Sequence, residues 1–199
     1  MIKPIFNNKR FTASELLHAQ RESEKNDDDD DFFDVPFIKQ ICPISTDEKE
    51  LREYIRNAEI KRKITSLVVH CTASRQNASI DGILAHWKRK GWKNVGYHII
   101  LPMEGFTILS DFNNVTNGAI GYNQNGVHIS YIGGVEFVGQ KWKPLDNRTE
   151  SQKRLIDVFI VEMVKRFPEI KVIGHNEVAK KACPSFKVKN EYPEHWTGI

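Results

Sequence analysis

ITSLVVH, at residues 64–70, is a short apolar run that ends on a histidine. Its length and its β-branched side chains are typical of a buried strand. Beyond it, segments with helical periodicity alternate with short strand candidates, the last of which is IKVIG at residues 170–174. This alternation predicts an α/β fold with a mixed central β-sheet flanked by helices.

Local signals place the other elements of this region. Ser79 is an N-cap candidate for a helix that Gly91 ends, and Thr149 with Gln152 forms a capping box before a longer helix. The remaining strand candidates lie at residues 97–101, 106–109 and 127–132.

The first 63 residues have a different character. They hold 12 Lys/Arg and 14 Asp/Glu, whereas residues 64–199 hold 17 and 12. Five consecutive aspartates at 27–31 predict a linker, because like charges so close together disfavour a packed core. The apolar residues at 32–37 then suggest a segment that docks onto this protein or onto a partner.

One helix is predicted in this extension, over residues 46–61, with Ser45 and Glu48 as a capping box. Its apolar side chains recur at helical spacing: Leu51, Tyr54, Ile55 and Ala58. We therefore divide the chain into an N-terminal extension, residues 1–63, and a second domain, residues 64–199, which we expect to fold without the extension.

Composition narrows the cellular context. No apolar stretch approaches the roughly 18 residues of a transmembrane helix, so membrane insertion is not expected. The N-terminus lacks the apolar block of a secretory signal, which predicts cytoplasmic synthesis. Cys42, Cys71 and Cys183 are an odd set of three, which favours reduced thiols over a disulfide framework. The formal net charge of +3 is unremarkable, but the 17 Lys/Arg and 12 Asp/Glu of residues 64–199 give that part +5, which would favour an anionic polymer such as a bacterial wall or nucleic acid without choosing between them.

Three potential metal ligands fall at the ends of strand candidates. His70 ends the first strand, His175 directly follows the last one, and Cys183 lies in the segment after it. Strand ends gather at a rim of a sheet, and two imidazoles with one thiolate suit Zn²⁺ and leave a fourth position for water. The spacing alone leaves a second interpretation open, in which these are two ordinary histidines and a buried thiol.

Four sequence blocks carry a resemblance to a known family. They are VVHCTAS at 68–74, HWKRKGWKNVGYHII at 86–100, GYNQNGVHISYIGG at 121–134 and GHNEVAKKACPSF at 174–186. In order and spacing they resemble the type 2 N-acetylmuramoyl-L-alanine amidases, which include phage amidase-type lysozymes and animal peptidoglycan-recognition proteins. The resemblance covers most of residues 64–190.

The resemblance implies an activity and a set of site residues. A zinc ion at one rim of the sheet would be held by His70, His175 and Cys183, with Tyr97 and Lys181 as catalytic residues. The implied reaction is the hydrolysis of the amide between N-acetylmuramic acid and L-alanine in bacterial peptidoglycan, as in an endolysin. Without the resemblance, Tyr97 is a strand residue packed on the core, and Lys181 is a surface lysine.

The implied activity also predicts where the protein acts and what it binds. Such an enzyme accumulates in the cytoplasm and acts on the cell wall after the membrane is breached. Its partner is the peptidoglycan substrate; nucleic acid is not expected, and a protein partner for residues 1–63 stays open. The alternative function is a peptidoglycan-binding or partner-binding protein on the same fold with little hydrolytic activity. Cys183 argues against this alternative, because inactive relatives lose that ligand.

Departures from the family surround the Gly-Tyr-Asn motif. Where many phage members have a histidine, a serine and a glycine, this chain has Gly118, Gly126 and His128. The resemblance implies that such positions shape the substrate groove and not the metal centre, so we expect an altered peptide-stem preference. Among the other histidines, His98 is expected to face the core and His86 the solvent, while His128 has no predicted partner.

Overall fold

A computed structural model describes residues 43–198 of the chain. Cys42, the aspartate run and the apolar segment after it lie outside these described residues. Within residues 43–198, no helix is long and apolar enough to span a membrane.

The centre of the fold is a mixed β-sheet. The strands are β1 (Ser66–Cys71), β2 (Ile99–Leu101), β3 (Thr107–Ile108), β4 (Gly126–Tyr131), β5 (Val135–Val138), β6 (Lys141–Pro144) and β7 (Lys171–Gly174). Five of them form one sheet in the order β3-β2-β4-β1-β7, in which only β3 is antiparallel to its neighbour. The predicted α/β class with a mixed sheet is confirmed.

The β5–β6 hairpin is separate from this sheet and was not predicted. It turns at Gly139 and Gln140, which both have positive φ, as a two-residue turn of type I′ requires. Its side chains are largely exposed, so the hairpin lacks the apolar run by which buried strands are recognised.

Of the three helices predicted within the described residues, two begin at the caps that the sequence indicates, and the structure adds two short helices that were not predicted. They are α1 (Glu48–Asn57), α2 (Ile80–Arg89), α3 (Glu150–Arg166), α4 (His175–Val178) and α5 (Glu194–Thr197), with a 3₁₀ turn at Val188–Asn190. Ser79 caps α2, and Thr149 with Gln152 forms the predicted capping box of α3. The exception is α1, where the predicted capping box at Ser45 is wrong. Asp47 is the N-cap and accepts the Lys49 N–H at 2.8 Å.

Alternating side chains give the sheet two different faces. Leu67 and Val69 of β1 point into the main core, where α1 and α3 cover the sheet. Val68 and His70 point to the opposite face, part of which is covered by α2 through Ile83, Leu84 and Trp87. His70 is therefore a polar residue of the smaller face and does not belong to the main core.

Helix α1 shares the main core with the rest of the described chain. Leu51 and Ile55 are fully buried in the same cluster as the sheet residues, so the apolar face of α1 packs on the body and does not wait for a partner. Arg52 and Arg56 bind the buried Glu162 of α3 at 2.9 and 2.7 Å. The domain boundary at residue 64 stays a prediction, but the residues just before it help to form the core.

We predict that Glu162 stabilises the protein in a pH-dependent way. Its hydrogen bond from Arg56 lowers the pKa of the carboxyl from 4.5 to about 2, against the effect of burial. A folded-state pKa below the unfolded value adds stability that is complete above about pH 4.5 and is lost as the pH falls towards 2. Urea unfolding of wild type and Glu162→Gln should therefore show a stability gap that narrows between pH 6 and pH 3.

The control for this experiment is Glu53→Gln, on the outer face of α1, where the side chain is 41% exposed beside Lys49. This variant should stay close to wild type across the pH range, because exposed pairs contribute little. A gap for Glu162→Gln that is constant with pH would contradict the prediction.

Candidate metal centre

The pairing of β1 with β7 brings two histidines together. Val69 of β1 pairs with Gly174 of β7 in a parallel register, so the residues that follow them, His70 and His175, lie side by side. His175 is also the first residue of α4, and the Glu177 carboxylate accepts the Gly174 N–H at 2.7 Å. The end of β7 therefore fixes the backbone position from which the His175 side chain extends.

Cys183 reaches the same point from a loop that side chains hold in place. The Asn176 amide donates to the Phe186 carbonyl at 2.9 Å, and the Tyr131 hydroxyl donates to the Pro184 carbonyl at 2.6 Å. These bonds fix the loop on both sides of Cys183.

The three predicted ligands form one cluster. Nδ1 of His70 lies 3.2 Å from Nδ1 of His175 and 3.7 Å from Sγ of Cys183, and one ligand atom from each residue lies within 4.8 Å of the other two. Zn–N bonds of about 2.05 Å and a Zn–S bond of about 2.3 Å in a tetrahedron place donor atoms about 3.3–3.6 Å apart. These two spacings and the donor types therefore suit a zinc ion, while the third pair, His175 and Cys183, lies within 4.8 Å.

Burial gives the two imidazoles the protonation state that a metal requires. The pKa of His70 is well below its usual value, because burial and then the charges of His128 and His175 disfavour the imidazolium. Burial, and then Lys181, lowers the pKa of His175. Both rings are therefore neutral near pH 7 and have a lone pair to offer.

The two predicted catalytic residues lie beside this cluster. The ring of Tyr97 is 5.0 Å from the ring of His70, and its hydroxyl is 3.4 Å from the carbonyl of Cys71. Burial, followed by the charge of Cys183, raises the pKa of Tyr97, so the hydroxyl keeps its proton. Lys181 is exposed at the rim and is close enough to affect the pKa of His175.

A cavity of about 270 Å³ opens next to the cluster, and Tyr97 forms part of its wall. Further lining comes from Thr72 and Ser74 after β1, and from His86 and Trp87 on α2. The cavity therefore lies between the polar residues that follow β1 and the aromatic side chains of its wall. His86 is exposed, as predicted.

Comparison with known proteins identifies the family. Residues 60–186, more than half of the chain, match the family model described as N-acetylmuramoyl-L-alanine amidase. The chain belongs to this amidase family. Among its relatives, the endolysin of Escherichia phage T7 is 33% identical over 128 residues, which cover 62% of this chain and 82% of the relative. The endolysin of Klebsiella phage KP32 is 33% identical over 134 residues, covering 65% and 86%.

Solved structures share the fold of this amidase. The endolysin and N-acetylmuramoyl-L-alanine amidase LysCS from Clostridium intestinale URNW aligns with a TM-score of 0.54 at 20% identity, covering 65% of this chain and 80% of that one. Drosophila PGRP-LB aligns with a TM-score of 0.51 at 20% identity, covering 70% and 86%. At these identities the likeness shows a common fold.

Sequence reasoning missed one residue that adjoins the candidate metal centre. His128 was expected to shape the substrate groove, but Nδ1 of this fully buried residue lies 3.0 Å from Nε2 of His70. Gly118 lies against the same ring, so a Cβ there would overlap it. His128 thus lies beside a candidate metal ligand, which sequence reasoning did not expect; that the departures leave zinc binding intact stays a prediction. The available signal was the alternation of side chains along a strand, which places His70 and His128 on the same face of the sheet.

His98 is buried, as predicted, and its position is explained by its neighbours. Its Nδ1 accepts the backbone N–H of His128 at 3.0 Å, and its Nε2 lies 3.1 Å from the carbonyl of Asn114. His98 is thus a satisfied core histidine that supports the strand behind the cluster.

Proposed function

We propose that this amidase hydrolyses the amide between N-acetylmuramic acid and L-alanine in bacterial peptidoglycan, with zinc held by His70, His175 and Cys183. The observation that carries the proposal is the donor spacing of 3.2 and 3.7 Å, which fits tetrahedral zinc. The endolysin names of the phage relatives support the substrate. We further propose a role in cell-wall degradation after the membrane is breached.

Zinc would supply an activated water and polarise the scissile carbonyl, because it lowers the pKa of bound water to about 7. The protein supplies the surroundings. Tyr97 faces the cluster with a protonated hydroxyl and can orient the attacking water by a hydrogen bond. The adjoining cavity has the polar rim and the aromatic wall that a substrate with sugar and peptide parts requires.

Lys181 is proposed to stabilise the negative charge that develops on the carbonyl oxygen. Lys181 lies two residues before Cys183 in the chain, is exposed, and is close enough to His175 to lower its pKa. A positive charge at this place favours the transition state over the neutral amide.

A binding protein with little hydrolytic activity is the alternative, and the donor set argues against it. Recognition of a wall fragment needs no cluster of two neutral imidazoles and a thiol at coordination spacing.

The products of peptidoglycan digestion test the reaction itself. Purified peptidoglycan treated with the full-length protein should release new L-alanine amino termini, because the bond cut is an amide. New reducing sugar ends would instead show a glycosidase, and neither product would favour the binding alternative.

Zinc content tests the ligand assignment. The wild-type chain should hold about one zinc ion, and Cys183→Ser should lose most of it, since a hydroxyl is a far poorer zinc ligand than a thiolate. The matched control is Cys71→Ser, which changes a neighbouring buried thiol that is not part of the donor cluster and should keep the metal. Stoichiometric zinc in Cys183→Ser, measured by elemental analysis, would refute the assignment.

Activity of Lys181→Ala tests the catalytic lysine. We expect full zinc occupancy with a rate lower by about 10²–10³-fold, as for the loss of one group that stabilises a developing oxyanion. Lys180→Ala is the control, because Lys180 is the adjacent exposed lysine with no proposed role. A rate for Lys181→Ala within about threefold of the control would return Lys181 to an ordinary surface residue.

A further inference from the structure

The two ring nitrogens of His70 face different neighbours. Nδ1 faces His175 and Cys183, while Nε2 lies 3.0 Å from Nδ1 of His128. A nitrogen that binds a metal carries no hydrogen, so the hydrogen of neutral His70 must be on Nε2. In this tautomer His70 donates a hydrogen bond and His128 accepts it through Nδ1.

The position of His128 is fixed by its own surroundings. It lies within β4, in the middle of the sheet, and its backbone N–H donates to Nδ1 of His98. The rings of His98 and His128 stack almost parallel, at 5° and with centroids 5.9 Å apart. The accepting nitrogen therefore has little freedom to leave His70.

Gly118 provides space that the His128 ring fills. A Cβ at Gly118 would overlap Nδ1 of the ring, whereas a Cβ at Gly126 would first meet the backbone carbonyl of Tyr122 and would lie 3.1 Å from Nε2 of the ring. Gly118 does not have positive φ, so its backbone conformation would accept alanine, but the added Cβ would meet the imidazole and also the backbone carbonyl oxygen of Gly96, at 2.9 Å. The site is thus shaped for an imidazole that enters from β4.

We propose that His128 is a positioning residue for the metal ligand His70. By accepting the Nε2–H hydrogen bond, it selects the tautomer that leaves Nδ1 free and holds the ring towards His175 and Cys183. The inference rests on the zinc site of the proposed function. Loss of such a partner of a metal-bound histidine typically weakens metal affinity by about 10–100-fold.

Two variants of nearly equal shape separate hydrogen bonding from packing. His128→Asn keeps an acceptor oxygen close to the position of Nδ1, whereas His128→Leu has the same branching without an acceptor. The zinc dissociation constant of the full-length protein is measured by competition with a chelator. We expect an increase of about 10–100-fold for leucine and of no more than about threefold for asparagine.

A third variant tests placement without removing the imidazole. Gly118→Ala pushes a methyl group against Nδ1 of His128 and against the Gly96 carbonyl, and it should weaken zinc binding by about 10-fold or more even if the leucine variant does not fold. Thermal unfolding of the metal-free forms, followed by circular dichroism, shows which variants are folded.

Three results would overturn the proposal: zinc affinity of folded His128→Leu within threefold of wild type, asparagine as weak as leucine, or unchanged affinity of Gly118→Ala. A wild-type protein without zinc affinity would overturn the metal site together with this inference. Zinc binding without hydrolysis of peptidoglycan would count against the proposed reaction alone, since affinity is measured without substrate.

Discussion

The parallel pairing of β1 with both β4 and β7 is the constraint on which the metal centre depends. Because Val69 pairs with Gly174, the chain leaves β7 beside His70 and delivers His175 to it. Val68 precedes His70 on the same face of the sheet and pairs with His128. The imidazole of His128 therefore lies on that face, next to His70. A slip of one residue in β1 would turn His70 into the core beneath α1 and α3. The strand register therefore sets the spacing of the candidate ligands.

Burial keeps the imidazoles of the cluster neutral, as metal binding requires. It also makes each ring depend on particular hydrogen-bond partners. The imidazoles of His70, His98 and His128 are buried and have lowered pKa values, in each case with burial as the main cause. Arg62 lies at the end of this row of three imidazoles and donates a hydrogen bond to the Gly126 carbonyl at 2.6 Å. Neutral rings do not repel a cation, and His70 and His98 obtain hydrogen bonds from a neighbouring ring or from the backbone.

The elements with local signals could be predicted, and the others could not. Ser79 and Thr149 mark helix starts because a cap satisfies backbone groups within a few residues of itself. Ser45 misled for the same reason, since Asp47 offers a competing cap two residues later. The hairpin at residues 135–144 escaped notice because its strands are exposed and have no buried face to give them a pattern.

The sequence alone established the α/β class, the family resemblance and the candidate ligands His70, His175 and Cys183, because residue type and position at strand ends are readable along the chain. The role of His128 was decided only by the tertiary structure. Its partner lies 58 residues away, and the contact depends on the register between two strands and on the space left by Gly118. A linear sequence records which side chains can donate or accept a hydrogen bond, but the fold decides which of them meet and through which nitrogen.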